Sequence, residues 1–294
     1  MIDLIHGHLA VITDGPPVLL RIGPLAVRWY ALAYVGGILG GWLVLKRMLR
    51  RSCPPMTEKQ LADFVLWATL GVILGGRVGY VLVYDPAEYL RHPLETLAVW
   101  QGGMSFHGGA IGLLAATILF CRRNGLSWLR AFDYVVVVQP IGQGLGRLAN
   151  FFNGELWGAP TNLPWGVIFR LGDAPRHPSQ IYEFLLEGVV LFAALSWLFW
   201  RTEARRRPGL LMGAFSLGFG LFRIVVELVR EPDAQLVGHT GPLHMGQWLS
   251  LPMIVLGLYL IIRALRRPLI VPDEPVAAQL DDASGPLRNG AARA

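Results

Sequence analysis

The stretch GRLANFFNGELWG (146–158) interrupts an apolar chain with one arginine, two asparagines, one glutamate and three glycines. Mostly apolar residues precede it, and residues 151–180 are rich in proline, glycine and aromatic side chains. Turn residues mixed with aromatic anchors indicate a structured segment rather than a flexible spacer. The stretch therefore predicts that a membrane helix ends here and that a cap over residues 151–180 follows.

The composition places the chain among membrane proteins. Of its 294 residues, 53% are hydrophobic and 16% are charged, whereas a soluble domain carries roughly 25% charged residues. The formal net charge is +6, but the basic residues cluster in short loops, which indicates membrane topology rather than a nucleic-acid partner. Cys53 and Cys121 have neither metal-ligand nor redox spacing, so we expect them to be unpaired.

Seven segments are apolar enough to cross a bilayer, for which about 20 residues are needed. Because backbone groups in hydrocarbon must bond within their own segment, these runs predict an all-α integral membrane protein with seven transmembrane helices. The fourth is the weakest, since GQGLGR dilutes it. The segments lie at approximately 27–45, 62–84, 100–121, 131–150, 181–200, 210–229 and 248–265.

Lysine and arginine are distributed unevenly between the connecting loops. Residues 46–59, 121–130 and 201–207 are strongly basic, while 85–95 and 230–246 carry one arginine each. The positive-inside rule then predicts a periplasmic N-terminus and cap and a cytoplasmic C-terminus, which agrees with an odd number of spans. The N-terminus has no basic n-region, so no cleavable signal peptide is expected.

The domain organisation predicted is simple. Residues 1–267 form a single membrane domain. Residues 268–294 have few large apolar side chains and no periodicity, so they are expected to form a disordered cytoplasmic tail.

Ionisable side chains within spans are costly and mark functional sites. At a rise of about 1.5 Å per residue, five polar residues from different spans reach the outer leaflet: Tyr30, Arg77, His107, Arg147 and Arg223. Three arginines at one depth predict a site for an anion, and a phospholipid phosphate is available there. The alternative is that carboxylates neutralise them.

Three carboxylates could serve in that alternative. Glu227 lies one helical turn from Arg223, and either Glu155 or Glu183 could pair with Arg147.

His107 stands between two glycine pairs in GGMSFHGG (102–109). It can act as a general base near neutral pH, or it can donate a hydrogen bond to a carbonyl as a structural residue. The seven histidines form no metal-binding motif, and we expect neither a metal nor a cofactor.

The stretch 146–158 resembles the signature of the bacterial prolipoprotein diacylglyceryl transferases. Five further blocks resemble that family in the same order: RWYALAY (28–34), GGRVGYVL (75–82), GGMSFHGG (102–109), RHPSQIYE (176–183) and FGLFRIVVELVREPDAQ (219–235). The resemblance implies an inner-membrane enzyme that transfers diacylglyceryl from phosphatidylglycerol to the lipobox cysteine of a prolipoprotein. A thioether forms and glycerol phosphate is released.

The resemblance also implies roles for individual residues. His107 matches the histidine proposed as the base, and Arg147 and Arg223 match two essential arginines. Other important family positions are matched by Tyr30, Asn150, Glu155 and Gly158. Phe219 departs from the family, in which a tyrosine is common at this position, so no role of that hydroxyl can operate here.

The predicted site combines both lines of reasoning. His107, Arg147 and Arg223 are the catalytic candidates, and Arg77 supports the phosphate from further away. Asn150, Asn153 and Glu155 shape the cap and orient Arg147. The remaining substrate-binding candidates are Tyr30, Gly158, His177 and Glu227.

Two other classes of protein remain as alternatives. A transporter or flippase for an anionic phospholipid should show discontinuous helices and internal symmetry, which the sequence lacks. A non-catalytic scaffold would leave the arginines within the spans unexplained.

Overall fold

A computed structural model describes residues 2–5, 8–11, 18–22, 25–84, 86–98, 102–231 and 245–271. Most of the described residues are helical. The long helices are α1 (Trp29–Met48), α2 (Glu58–Val83), α4 (Phe106–Arg123), α5 (Trp128–Asn153), α8 (Leu210–Glu227) and α9 (Met245–Leu265). A further long helix has three parts, which are α6 (Ser179–Glu183), a π-helical segment (Phe184–Val190) and α7 (Leu191–Arg201). The short helix α3 spans Pro86–Arg91, and 3-10 turns span Pro93–Leu97 and Ala204–Arg206.

Five of these helices are long and apolar enough to cross a membrane, so the chain is a multi-pass helical membrane protein. They are α1, α2, the composite helix Ser179–Arg201, α8 and α9. Helices α4 and α5 coincide with two further predicted spans but are less apolar. Helix α5 contacts α1, α6, α7 and α8, and many of its residues are buried, so it lies inside the bundle. An interior helix contacts protein rather than lipid, which allows it to carry polar residues.

Helices α2 and α4 pack with their backbones in contact. A Cβ atom placed on Gly75 would lie 2.4 Å from the carbonyl oxygen of Gly108, so no side chain fits between them. Small residues permit this approach, and backbone dispersion contacts replace the missing side chains. The side chain of Ser105 accepts a hydrogen bond from the Gly108 N–H and so caps the start of α4.

The N-terminal region contains strands, so the prediction of an all-α protein was wrong in this respect. Strand β1 (Ile2–Ile5) pairs antiparallel with β2 (His8–Val11), and β2 pairs in parallel with β5 (Val167–Ile168). Strands β3 (Val18–Ile22) and β4 (Leu25–Arg28) form a separate hairpin. The pairing of β2 with β5 joins segments far apart in the sequence, and local periodicity carries no signal for such a contact.

The cap lies between the end of α5 and the start of α6, close to the predicted 151–180. Its core is a cluster of Val11, Phe151, Val167 and Phe169. Because Val11 belongs to β2, the N-terminal strands help to bury the cap. The cap also contacts the end of α8, since the N–H of Ala159 donates to the carbonyl of Val229 over 2.9 Å.

Asp133 of α5 holds the start of α8. Its carboxylate accepts hydrogen bonds from the N–H groups of Gly209 at 2.6 Å and Met212 at 2.8 Å. The side chain is 2% exposed. A carboxylate at a helix N-terminus satisfies free N–H groups and complements the helix dipole, so Asp133 is a structural cap supplied by a neighbouring helix.

The described structure continues past the predicted boundary at residue 267. Arg206 donates to the carbonyl of Ile270 over 2.8 Å, and the N–H of Ile270 donates back to the carbonyl of Arg206 over 3.0 Å. Most of the predicted disordered tail, residues 272–294, lies outside the described residues.

Candidate active site

The stretch 146–158 ends a helix, as its sequence predicts. Helix α5 ends at Asn153, and Gly154 follows in the left-handed conformation with φ 64°. Glycine adopts this conformation without a steric penalty. The N–H of Glu155 then donates to the carbonyl of Asn150 over 3.0 Å, which turns the chain back over the helix end. The turn places the side chains of residues 147–155 close together.

Tyr30, Asn150 and Glu155 form one hydrogen-bond network. The Tyr30 hydroxyl donates to Glu155 Oε2 over 2.6 Å, and the Asn150 amide donates both to the Tyr30 oxygen and, over 3.4 Å, to Glu155 Oε2. Asn153 is buried beside the same hydroxyl. The network joins the first turn of α1 to the last turn of α5.

Residues at the start of α6 hold the backbone beside this network. Gln180 at the start of α6 donates to the backbone carbonyl of Glu155 over 2.5 Å, and Ser179 donates to that of Leu156 over 2.9 Å. Leu156 has a φ of 57°, a left-handed conformation that is unfavourable for a leucine. These contacts hold the backbone in this strained turn, which fixes where the Glu155 side chain points.

Three arginines meet at one carboxylate, that of Glu183. Arg147 Nε lies 3.0 Å from Glu183 Oε2, Arg223 Nη1 pairs with Glu183 Oε1, and Arg230 Nη1 lies 3.5 Å from the same oxygen. Arg223 Nη2 also lies 3.2 Å from Glu227 Oε2. We call these five residues the arginine cluster. The pairing of arginines with carboxylates, raised as an alternative from the sequence, is therefore present in the structure.

In the arginine cluster the arginines pair with carboxylates, and they also converge on one place. The predicted site requires Arg147 and Arg223 to face the same place, and their shared contact with Glu183 brings them there. Arg147 also connects to the first network, because its Nη1 lies 3.5 Å from the Asn150 Oδ1. The two networks thus form a continuous polar region between α1, α5, α6 and α8.

The arginine cluster retains access from outside. The side chain of Glu183 is 1% exposed, whereas those of Arg147 and Arg223 are 17% and 16% exposed. Three guanidinium groups face two carboxylates, those of Glu183 and Glu227. Glu155 and Glu187 lie close to the same arginines, so an anion such as a phosphodiester would bind at the exposed part of Arg147 and Arg223 rather than at a surplus charge.

Sequence reasoning missed Arg230, which it counts as a residue of an outer loop. In the structure its side chain is 10% exposed. Burial lowers the pKa of Arg230 from its ordinary value, Arg223 lowers it further, and Glu183 and Glu227 oppose this. The spacing of Arg223, Glu227 and Arg230 at i, i+4 and i+7 is a signal in the sequence that they are near one another, although α8 ends at Glu227 and Arg230 follows it.

Gly158 joins the cap to Arg230, the third arginine of the cluster, and His177 lies next to Gly158. Gly158 pairs with Arg230 as an antiparallel bridge, and its N–H donates to the His177 carbonyl over 2.9 Å. The ring of His177 is hydrogen-bonded through Nδ1 to the hydroxyl of Tyr182 at 3.2 Å. Gly158 therefore connects the cap to the segment after α8, and His177 connects Gly158 to α6.

Arg77 has a different set of partners from the other arginines. Arg77 is 3% exposed, and its guanidinium group donates to the carbonyls of Glu95, Thr96, Gly102 and Gly103 over 2.5 to 3.1 Å. It therefore holds the chain that connects α3 to α4 rather than facing Glu183.

His107 lies in the first turn of α4 and its side chain is exposed. Of the five convergent residues that the sequence predicts, Tyr30, Arg147 and Arg223 lie in the connected networks. The hydrogen bonds of Arg77 to the chain before α4 and the position of His107 in α4 place these two residues on the α2–α4 side. No group of three His, Cys, Asp or Glu side chains that could hold a metal ion occurs among the described residues.

The long apolar helices define the class of the chain, a multi-pass helical membrane protein. The family model of the prolipoprotein diacylglyceryl transferases matches residues 17–263, and the chain belongs to this family. It is therefore a transferase and a multi-pass protein of the bacterial inner membrane.

Similar curated proteins are phosphatidylglycerol–prolipoprotein diacylglyceryl transferases. That of Rhodospirillum rubrum is 52% identical over 260 residues, covering 87% of this chain and 95% of the relative. That of Gluconacetobacter diazotrophicus is 51% identical over 256 residues, covering 86% and 91%. That of Rhodospirillum centenum is 48% identical over 267 residues, covering 90% and 96%.

Proposed function

We propose that Arg147 and Arg223 bind the phosphate of phosphatidylglycerol while its diacylglyceryl group passes to the lipobox cysteine in the signal peptide of a prolipoprotein. Transfer of diacylglyceryl from phosphatidylglycerol to prolipoproteins is the activity of the family. One observation carries the assignment: two guanidinium groups from different helices converge on one carboxylate while keeping part of their surface exposed. Carboxylate and phosphate oxygens accept the same forked hydrogen bonds from arginine.

The reaction places negative charge where the arginines lie. The thiolate sulfur attacks the glyceryl carbon, the carbon–oxygen bond to phosphate breaks, and a thioether and glycerol phosphate form. The bond electrons stay with the departing phosphate oxygen, so charge grows there in the transition state. Preorganised guanidinium groups stabilise that charge more than they stabilise the bound lipid, which raises the rate of the chemical step.

The thiol proton needs an acceptor, because the thiolate is the reactive form. His107 either accepts that proton or orients the incoming peptide. Its exposed position in the first turn of α4 leaves it accessible to a substrate. The proton finally resides on His107, on the released glycerol phosphate or in water, depending on pH.

The surrounding residues support Arg147 and Arg223. Tyr30, Asn150 and Glu155 orient Arg147 through their hydrogen bonds, and Asn153 packs behind them. Glu227 holds the second nitrogen of Arg223. Arg77 acts at a distance, by fixing the chain before α4. Gly158 and His177 hold the cap over the arginine cluster.

We further propose seven membrane spans, including α4 and α5, with the N-terminus and cap in the periplasm and the C-terminus in the cytoplasm. Basic residues in the last turns of α1, α4 and α9 support this orientation. Residues 1–267 would be one membrane domain followed by a tail. The substrates required are a phospholipid and a prolipoprotein, with neither nucleic acid nor cofactor.

A single assay tests the assignment. Purified protein is incubated with labelled phosphatidylglycerol and a lipobox peptide, and diacylglyceryl-peptide is measured. Arg147→Ala is expected to abolish transfer while remaining in the membrane, because it removes a donor to the phosphate. Arg170→Ala, at an exposed cap arginine, serves as the control. Normal turnover by Arg147→Ala would disprove the phosphate assignment.

The same assay decides the role of His107. His107→Asn with a normal rate would exclude proton abstraction by its ring. A rate that falls and cannot be recovered at higher pH, where the thiolate forms without help, would favour the positioning role.

A further inference from the structure

The arginine cluster has an unusual arrangement of charge. Arg147, Arg223 and Arg230 come from α5, from α8 and from the segment after α8, and each approaches Glu183. Guanidinium groups remain charged at any working pH, so three of them in a poorly solvated place repel one another. They stay together because one carboxylate, 1% exposed, lies between them.

The contacts of Glu183 leave part of each arginine for another ligand. Arg147 Nε forms an ion pair with Glu183 at 3.0 Å without the geometry of a hydrogen bond, and Arg147 Nη1 contacts Asn150 Oδ1 at 3.5 Å. Its Nη atoms can therefore turn to a phosphate without giving up the contact with Glu183. A carboxylate that binds one edge of a guanidinium group fixes the direction of the others, because the group is planar and rigid.

The position of Glu183 in the chain keeps the carboxylate in place. It ends α6, directly before the π-helical segment Phe184–Val190, and the cap residues Ser179 and Gln180 hold the start of the same helix. π-Helical turns are rare and occur often at functional sites. Glu187, in that segment, is fully buried and accepts a hydrogen bond from Gln143 rather than from an arginine. Among the described residues, Glu183 is the acid that reaches all three arginines.

We propose that Glu183 is the positioning residue of the phosphate site and that Arg230 is the third guanidinium group held there. The inference rests on the assignment of Arg147 and Arg223 to the phosphate. Glu183 stays bound to the arginines during turnover and acts through them. Without its charge the three cations separate, and the site no longer presents converging N–H groups to the leaving phosphate.

Loss of the Glu183 charge is expected to lower kcat much more than it changes KM. The lipid phosphate is itself an anion, so it still binds cations that Glu183 has released, and the KM for phosphatidylglycerol changes little. Stabilisation of the transition state depends on exact placement of the donors, and losing one such donor lowers kcat by about 100-fold or more. A merely structural role would lower the folded fraction without changing kcat per folded molecule.

The test uses the full-length protein in detergent with phosphatidylglycerol and a lipobox peptide. Glu183→Gln keeps the size of the side chain and removes its charge, and we expect kcat to fall by about 100-fold with KM changed less than about threefold. Glu183→Asp keeps the charge but is one methylene shorter, so it reaches the arginines poorly, and we expect an intermediate kcat. Glu88→Gln, at an exposed acid of α3 that pairs with His92, is the matched control.

Each outcome is informative. Wild-type kcat in Glu183→Gln, or a KM that rises as much as kcat falls, would overturn the inference. If Glu183→Gln does not fold, as judged by its unfolding transition, Glu183→Asp decides: a reduced kcat supports the inference and a wild-type kcat overturns it. Arg147→Ala is measured in parallel. If Arg147→Ala is inactive while Glu183→Gln is normal, the inference alone fails; if Arg147→Ala is active, the phosphate assignment fails first.

Discussion

Gly158 leaves no space for a side chain at the point where the cap meets α8. A Cβ atom there would lie 2.5 Å from the carbonyl oxygen of Val229, 2.7 Å from the Cβ of His177 and 2.9 Å from the His177 carbonyl oxygen. Two of these three contacts are with backbone atoms, which cannot rotate away as a side-chain end can. Gly158→Ala therefore has to separate the cap from residues 229–230.

The size of the effect follows from this geometry. Forcing one methyl group into a closely packed place costs about 1 to 3 kcal/mol in stability. The separation displaces Arg230, whose backbone is bridged to Gly158. A displacement of about 1 Å in a catalytic arrangement can cost about 100-fold in rate. We expect Gly158→Ala to lose about 100-fold in kcat/KM and to unfold a few degrees lower.

The assay is transfer to a lipobox peptide, with the unfolding temperature measured on the same sample. Gly142→Ala in α5 is the matched control, because its Cβ would meet only the Cα of Gly37 at 3.9 Å, an ordinary contact. Wild-type kcat/KM in Gly158→Ala would refute the idea that the cap positions Arg230. An equal loss in both variants would show that the effect is not specific to the junction.

Two further predictions follow from hydrogen bonds in the structure. Tyr30→Phe leaves Glu155 and Asn150 without their shared partner, at a cost of about 1 to 3 kcal/mol. We expect kcat to fall by about tenfold or more at saturating lipid. An unchanged kcat would show that the network does not orient Arg147. Asp133→Asn weakens the cap of α8, at a cost of about 2 kcal/mol, and should lower the unfolding temperature by about 5 °C without changing kcat per folded molecule. A lower kcat in Asp133→Asn at full folding would contradict its assignment as a purely structural residue.

The sequence predicts much of the fold because the relevant signals are local. Among the described residues, apolar length locates the seven long helices to within several residues, and the glycine after Asn153 marks the end of α5. The cap is recognisable from its prolines, glycines and aromatic residues. The pairing of β2 with β5 is missed, because these strands lie far apart in the chain and their pairing depends on how the cap folds back.

The sequence also predicts one part of the candidate site and misses another. Depth along a helix brings Arg147 and Arg223 to the same level, and helical spacing links Arg223 to Glu227. Depth does not specify direction around the helix axis. Arg77 shares their depth, but its side chain is directed to loop carbonyls. Only packing shows this difference.

The sequence by itself determines that the chain is a helical membrane protein, where its helices lie, and which arginines enter them, because hydrophobicity and charge are properties of each residue. The tertiary structure decides that Glu183 lies between three of those arginines, that Arg230 belongs with them, and that Gly158 joins the cap to α8. These contacts join α5, α6, α8 and the cap. They depend on the relative rotation of the helices, which is set by close packing between faces and is not a property of any one segment.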